Sequence, residues 1–289
     1  MKIVYFGSDV FLDVFEYLHL SHEILALYTY HMEEDYFNEH NIVQLAHMSG
    51  IPVCYGQITE DEMLSYMEKE GCELFFVAEY SHKIPVPDDS RFYGVNIHSS
   101  LLPEGRSYYP VECAMERGLG GSGVTMHKIA KSLDRGDILA QRKYDIQPGN
   151  DSVDIYLKSG RQALSMVKEL MEDFDRVWTN ARPQKEKLPY WNRPKKEALA
   201  LNHGMTVEEA RGVYRCFNKM TTVCIDGRFC YVDGFAAGSV LLGQDDSIIC
   251  LSVRTGCCTA WLTGICVWTW CRCGRNRRDE KQKKRKAAA

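Results

Sequence analysis

No apolar run in this 289-residue chain approaches the roughly 18 residues of a membrane-spanning helix, so no membrane partner is expected. A secretory core is missing too, because Met1-Lys2 runs straight into the short stretch Ile3-Val4-Tyr5-Phe6. Together these two absences set the expectation of a cytoplasmic protein. Neither G-x-G-x-x-G nor a Walker lysine follows that first apolar run, which disfavours a dinucleotide or ATP cofactor. Cysteine is scarce where a disulfide framework would need it: of twelve, only three lie in the first 200 residues. Without a secretory signal the thiols are expected to be reduced. Six cysteines (Cys250, Cys257, Cys258, Cys266, Cys271, Cys273) crowd the last 40 residues without C-x-x-C pairs, so no metal site is expected.

What is present is ordinary for a globular protein, with 45% apolar and 26% charged residues. The length accommodates a full α/β domain and a smaller second one. The net charge of −4 hides an asymmetry: residues 272–286 carry +7, leaving −11 on the rest. An acidic body is a poor design for a surface that grips RNA. Residues 31–40 sharpen the point, with four carboxylates and no Lys or Arg.

Hydrophobic patterning places buried strands at 2–6, 23–30, 51–54, 72–80 and in a run ending at His98, with helices at 11–18, from 41, and at 60–70 between them. This alternation implies an α/β, doubly wound, mostly parallel sheet. Gly7 serves the first strand-to-helix turn. Further on, a helix is expected at 110–117, strands at 124–129 and 138–144, and a long amphipathic helix at 154–175. Gly120-Gly121-Ser122-Gly123 has no following helix with a lysine and reads as a hinge before its strand. His127 on that strand reads as a satisfied core histidine.

Residues 179–196 hold Pro183, Pro189 and Pro194 among charges and read as a linker. It separates a domain at 1–178 from a smaller one at 197–255. There Thr206, with Glu209 three residues on, caps a helix over 206–217. Asp226-Gly227 marks a hairpin between strands 222–225 and 229–232, and strands at 237–242 and 248–253 complete a β-rich unit.

The chemistry concentrates in Asn96-Ile97-His98-Ser99-Ser100-Leu101-Leu102-Pro103, answered by Leu133-Asp134-Arg135-Gly136-Asp137. On a strand, Asn96 and His98 share a face. In doubly wound sheets that strand end is where ligands bind. Amide, imidazole and carboxylate make a kit for acyl transfer: one holds an oxyanion, one shuttles a proton, one orients the imidazole or takes the proton. Spacing alone also fits a capping Asn, a hydrogen-bonded core His and a turn Asp.

The stretch 96–103, then Gly123-Val124-Thr125-Met126-His127, then Leu133-Asp134-Arg135-Gly136-Asp137-Ile138, resembles the 10-formyltetrahydrofolate-dependent formyltransferases over roughly residues 1–250. That family acts on methionyl-tRNA, glycinamide ribonucleotide or sugar amines. The resemblance implies a Rossmann-like formyltransferase domain with an OB-like C-terminal domain, and catalytic Asn96, His98 and Asp134. It also implies 10-formyltetrahydrofolate as co-substrate, its pterin near Ser100, Leu101, Leu102 and Pro103 and the loop carrying Ile84 and Pro85. Pro189-Tyr190-Trp191-Asn192-Arg193-Pro194 resembles the interdomain segment of the tRNA and sugar-amine members. The expected reaction is formyl transfer to a primary amine, a nucleotide-linked amino sugar ahead of Met-tRNA. Formyltetrahydrofolate hydrolysis and a folate- or RNA-binding module without turnover are the other readings. Glu104-Gly105-Arg106 departs from the commoner Arg-Gly after Leu-Leu-Pro, and Tyr108 and Tyr109 are placed either to stack on a base or sugar or to pack. Past about Arg254 the resemblance ends. Residues 256–274 gather three of the five Trp with five Cys, which reads as an altered version of a normal strand pair. The basic tail after it is expected to be disordered.

Overall fold

The computed structural model describes residues 1–31, 40–185, 188–202, 205–225, 228–239, 247–253, 261–262 and 265–269. Most of the acidic 31–40 segment, the Asp226-Gly227 turn and the basic tail lie outside the described residues. The contacts divide the chain into Met1–Leu199 with Arg215–Asn218, and Ala200–Tyr214 with Lys219–Ala289.

The first unit is built on seven strands: β1 (Lys2–Gly7), β2 (Glu23–Thr29), β3 (Val53–Tyr55), β4 (Leu74–Ala78), β5 (Gly94–His98), β6 (Gly121–Lys128) and β7 (Ile138–Asp145), in the order β3-β2-β1-β4-β5-β6-β7. The first five pair in parallel, and β6 and β7 add antiparallel edges. Nine residues without a helix join β6 to β7, too few for a parallel crossover, so that pair is antiparallel; β5 returns to β6 through a helix at 110–116 and pairs with it antiparallel as well. The sheet is mostly parallel, with helices, and Rossmann-like.

Apolar residues run continuously along β1 and β4 because both faces are covered. Ile3, Tyr5, Leu74, Phe76 and Ala78 fill one core while Val4, Phe6, Phe75 and Val77 fill the other. Gly7 does more than turn the chain: a Cβ there would lie 2.5 Å from the Ala78 carbonyl oxygen, so glycine lets β1 and β4 close up at their carboxyl ends. The helices are α1 (Leu12–Ser21), α2 (His40–Met48), α3 (Glu60–Ser65), α4 (Pro110–Glu116), α5 (Ser152–Glu172) and α6 (Phe174–Thr179). A Thr59–Glu62 capping box starts α3, whose expected second half opens into a π-turn over Tyr66–Glu70. The expected single helix over 154–175 is two. Asp173, with φ −151°, ends α5 and its carboxylate caps Arg176 N–H to start α6.

In the second unit, β8 (Ala200–Leu201) pairs with β9 (Thr222–Ile225), which pairs with β10 (Arg228–Ser239). The sheet continues through β11 (Ser247–Val253) and β13 (Ile265–Thr269) to β12 (Trp261–Leu262). Helix α7 (Val207–Phe217) opens on the expected capping box, with Thr206 Oγ1 accepting from Glu209 N–H and the Glu209 carboxylate accepting from Thr206. Backbone pairing thus runs through part of the Cys/Trp-rich stretch, in parallel register from Ile249↔Ile265 to Val253↔Thr269.

Candidate active site

Alternation along β5 sends Val95 and Ile97 into the core and leaves Asn96 and His98 on the opposite face. Antiparallel pairing sets Asn96 opposite His127 and His98 opposite Thr125 on β6. The four side chains form one cluster.

Their hydrogen bonds fix the ring protons. His127 Nδ1 lies 2.7 Å from the Lys128 carbonyl oxygen, so this nitrogen donates. Burial holds the His127 imidazole down to about 4, so at neutral pH its Nε2 carries a lone pair and accepts the Asn96 amide at 2.9 Å. The Asn96 amide is thereby oriented, with one N–H committed and one left over. His98 Nε2 donates to the Gly105 carbonyl oxygen at 2.9 Å, which turns its Nδ1 toward Asp134.

Asp134 Oδ1 is 3.9 Å from both His98 Nδ1 and His127 Nε2, and all three groups are buried. These separations exceed hydrogen-bonding distance, so the carboxylate faces two ring nitrogens without closing on either. The arrangement can hold one mobile proton between a buried carboxylate and an imidazole whose other nitrogen is tied down.

The loop that delivers Asp134 is pinned. Asp134 takes a left-handed φ of 53°, which Asp tolerates better than most residues. A Cβ on Gly136 would sit 1.7 Å from the Lys128 carbonyl oxygen, so only glycine lets the loop lie this close to β6. Gln184 Nε2 donates to the carbonyls of Asp134 and Gly136 at 2.9 and 2.8 Å.

The 100–105 turn is equally fixed. Thr125 Oγ1 donates to Ser100 O at 2.6 Å and accepts from Leu102 N–H at 3.1 Å, while Gln141 Nε2 donates to Leu102 O at 2.7 Å. Ser100 Oγ donates to Glu104 O at 2.7 Å. A Cβ on Gly123 would meet Leu101 Cδ2 at 2.3 Å, so this glycine makes room for the turn against β6. Leu102 is buried, and Leu101 and Pro103 are partly exposed. Ile84 of the 81–89 loop is buried in the core beneath β4, and Pro85 is half-buried.

Three features escaped the sequence reading. His127 is indeed buried and satisfied, at 2% exposure, yet it belongs to this cluster, because its bond to Asn96 needs the β5–β6 register, which sequence does not state. Glu79 follows β4, and burial pushes its carboxyl up to about 7, with His98 opposing the rise and Asp134 adding to it. The signal was a carboxylate directly after the unbroken apolar run 74–78. Third, the 179–196 segment is part of the first unit and is tied to the 100–106 turn: Arg106 donates to Leu188 O at 2.9 Å, and Trp191 N–H donates to Arg106 O at 2.8 Å. Among the described residues no cluster of His, Cys, Asp and Glu could hold a metal ion.

Residues 42–168 match a family model described as "Formyl transferase". A methionyl-tRNA formyltransferase of Fervidobacterium nodosum is 26% identical over 178 residues, 61% of this chain and 56% of that protein. The chain thus spans little more than half the length of that relative. Among solved structures, a sugar N-formyltransferase from Shewanella sp. FDAARGOS_354 superposes with a TM-score of 0.62 at 16% identity, covering 80% of this chain and 96% of that one. A variant of HypX from Aquifex aeolicus gives a TM-score of 0.62 at 17% identity, covering 84% and 41%. At such identities the likeness is one of fold.

Proposed function

We propose that this chain, whose residues 42–168 match the formyl transferase family model, is an N-formyltransferase that moves the formyl group of 10-formyltetrahydrofolate to a primary amine. The observation that carries the reading is Asp134 Oδ1 held 3.9 Å from both His98 and His127 beside an Asn96 amide with one N–H to spare. That set suits a formyl group: an amide and an imidazole beside its oxygen and a buried base for an amine proton.

The folate donor supplies an electrophilic formyl carbon on a nitrogen that can leave. Asn96 donates its free N–H to the formyl oxygen as negative charge builds there, and protonated His98 Nδ1 serves the same oxygen; such donors contribute a few kcal/mol each. Asp134 takes the proton that the attacking amine must lose when its C–N bond forms. The same proton then passes to the folate nitrogen as the old C–N bond breaks, so the balance closes without a metal. In this proposal the fixed 100–105 turn walls the folate side, with Leu101, Pro103 and Pro85 partly exposed there and the buried Ser100, Leu102 and Ile84 behind them.

The acceptor we favour is a small amine, a nucleotide-linked amino sugar. The acidic body and the acidic 31–40 stretch support it, as does likeness in fold to a sugar N-formyltransferase. The relative that acts on methionyl-tRNA supports Met-tRNA as a second reading. The C-terminal β unit is OB-like in this proposal, and the protein cytoplasmic. The test offers 10-formyltetrahydrofolate with charged initiator tRNA and with nucleotide-linked amino sugars side by side. Formylated sugar with untouched tRNA is expected; formyl-Met-tRNA alone would reverse the acceptor, and free formate with neither would mean hydrolysis. Asp134→Asn and His98→Ala should each cost at least about 100-fold in turnover, and near-normal rates would remove the mechanism.

A further inference from the structure

The chain that follows α6 touches both halves of the proposed centre. Arg182 exchanges two backbone hydrogen bonds with Ile138 at the start of β7, at 2.7 and 2.8 Å. Two residues on, Gln184 Nε2 reaches the Asp134 and Gly136 carbonyl oxygens at 2.9 and 2.8 Å. Both partners are acceptors, so only the NH2 end of the amide can face them. Its Oε1 is buried with no hydrogen-bond partner among the described residues, so the two carbonyls dictate which way the amide points. Leu188 O then takes the Arg106 guanidinium at 2.9 Å, and Trp191 N–H donates to Arg106 O at 2.8 Å.

The Trp191 ring reaches the other half. A Cβ on Gly105 would lie 3.2 Å from Trp191 Cζ3 and 2.6 Å from Ser100 Cβ, so Gly105, at a left-handed φ of 75°, is held between these two side chains. The Arg117 guanidinium lies 4.6 Å over the indole and keeps it in place. Gly105 O is the acceptor that fixes His98 Nε2. The same stretch of chain thus grips the backbone of Asp134 and the carbonyl that orients His98.

This grip matters because the centre is open. Asp134 Oδ1 stands 3.9 Å from His98 Nδ1, and about 1 Å of closure would make a charge-assisted hydrogen bond in a buried setting. A carboxylate so engaged is no longer free to take a proton from an attacking amine. Resting on the formyl-transfer reading, we infer that Arg182, Gln184, Leu188 and Trp191 form a brace that holds this gap open, with Gln184 positioning Asp134 and Trp191 positioning His98 through the Gly105 carbonyl. Both are positioning residues, each acting through a neighbour.

Two readouts test the brace on the full chain. In heteronuclear NMR of histidine-labelled protein, the His98 Nε2–H held by Gly105 O should give an exchange-protected ring signal, identified by its loss in His98→Gln. In Trp191→Ala that proton should exchange at least about tenfold faster. Trp191→Phe, which keeps a ring and the backbone N–H, should restore the protection. In kinetics, Trp191→Ala and Gln184→Glu should each lower kcat at least about tenfold with both KM values held within about twofold. Glutamate has the shape of glutamine but brings acceptors to the two carbonyls instead of donors. Unchanged exchange in Trp191→Ala, or KM rising while kcat holds, overturns the brace. If Trp191→Ala does not fold, Gln184→Glu decides, and a native kcat there overturns it. Faster His98 exchange in Trp191→Ala, in a protein whose native chain formylates no amine, would sink the formyl-transfer reading and leave the brace standing.

Discussion

Replacing Glu79 by Gln should stabilise the protein at alkaline pH and do little at acid pH. Glu79 stands directly after β4, whose register with β5 pairs Ala78 with Ile97 and so brings Glu79 level with His98. Burial raises its carboxyl from the ordinary 4.5 to about 7. At 1.36 kcal/mol per pH unit that rise corresponds to roughly 3 kcal/mol, and partial exposure trims it to about 2–3 kcal/mol. The sign follows from proton counting. Between 4.5 and about 7 the folded chain keeps a proton that the unfolded chain releases, so this group's contribution falls as pH rises and its full cost stands above 7. His127 has the opposite sense: burial lowers it from 6.5 to about 4, so its contribution is lost as pH falls through that window. The two slopes oppose each other in the native chain, and Glu79→Gln leaves the His127 slope exposed. At about 2–4 °C per kcal/mol for a unit of this size, the variant should melt about 5–10 °C higher than the native protein at pH 8. The difference should shrink to near zero at pH 4.5. Differential scanning calorimetry at half-unit pH steps reads both. An equal shift at every pH, or a lower Tm at pH 8, would refute the burial argument.

Other sites give independent checks. Glu112 is buried, and Tyr156 Oη donates at 3.2 Å to both its oxygens; Tyr156→Phe should cost about 1–3 kcal/mol in urea unfolding, and a neutral result would show that this bond adds no net stability. Gly136→Ala puts a methyl where the Lys128 carbonyl oxygen stands 1.7 Å away. The shift it forces on Asp134 should cost about 100-fold in kcat/KM with the circular dichroism unchanged. His127→Phe removes the acceptor that orients Asn96 and should lower kcat more than it raises KM, since that amide acts where charge develops.

Much of the first unit was legible because its parallel strands are buried on both faces and announce themselves as unbroken apolar runs. Leu74-Phe75-Phe76-Val77-Ala78 divides its side chains between two cores, and no other element tolerates that composition so readily. Caps were equally readable at Thr206 and Glu209, because a capping box is a local contract between residues three apart. The antiparallel β6 and β7 were harder, since strand direction is set by how the chain returns and not by the residues within the strands, and β5 reaches β6 through α4 yet pairs with it antiparallel. The site divides along the same line. Asn96 and His98 lie two apart on one strand, so alternation alone puts them together, and Asp134 was findable from its Gly-containing loop. His127, Glu79 and Arg106 reach the same place by pairing across strands or by loop packing, and nothing local distinguishes them from a core histidine, a strand-end carboxylate and a surface arginine. Each is a polar group in a buried setting, and each needed the fold to reveal its surroundings. Where such a group is already satisfied, as His127 is, it positions a neighbour. Where it is not, as with Nε and Nη1 of Arg106, buried donors are left without a partner among the described residues.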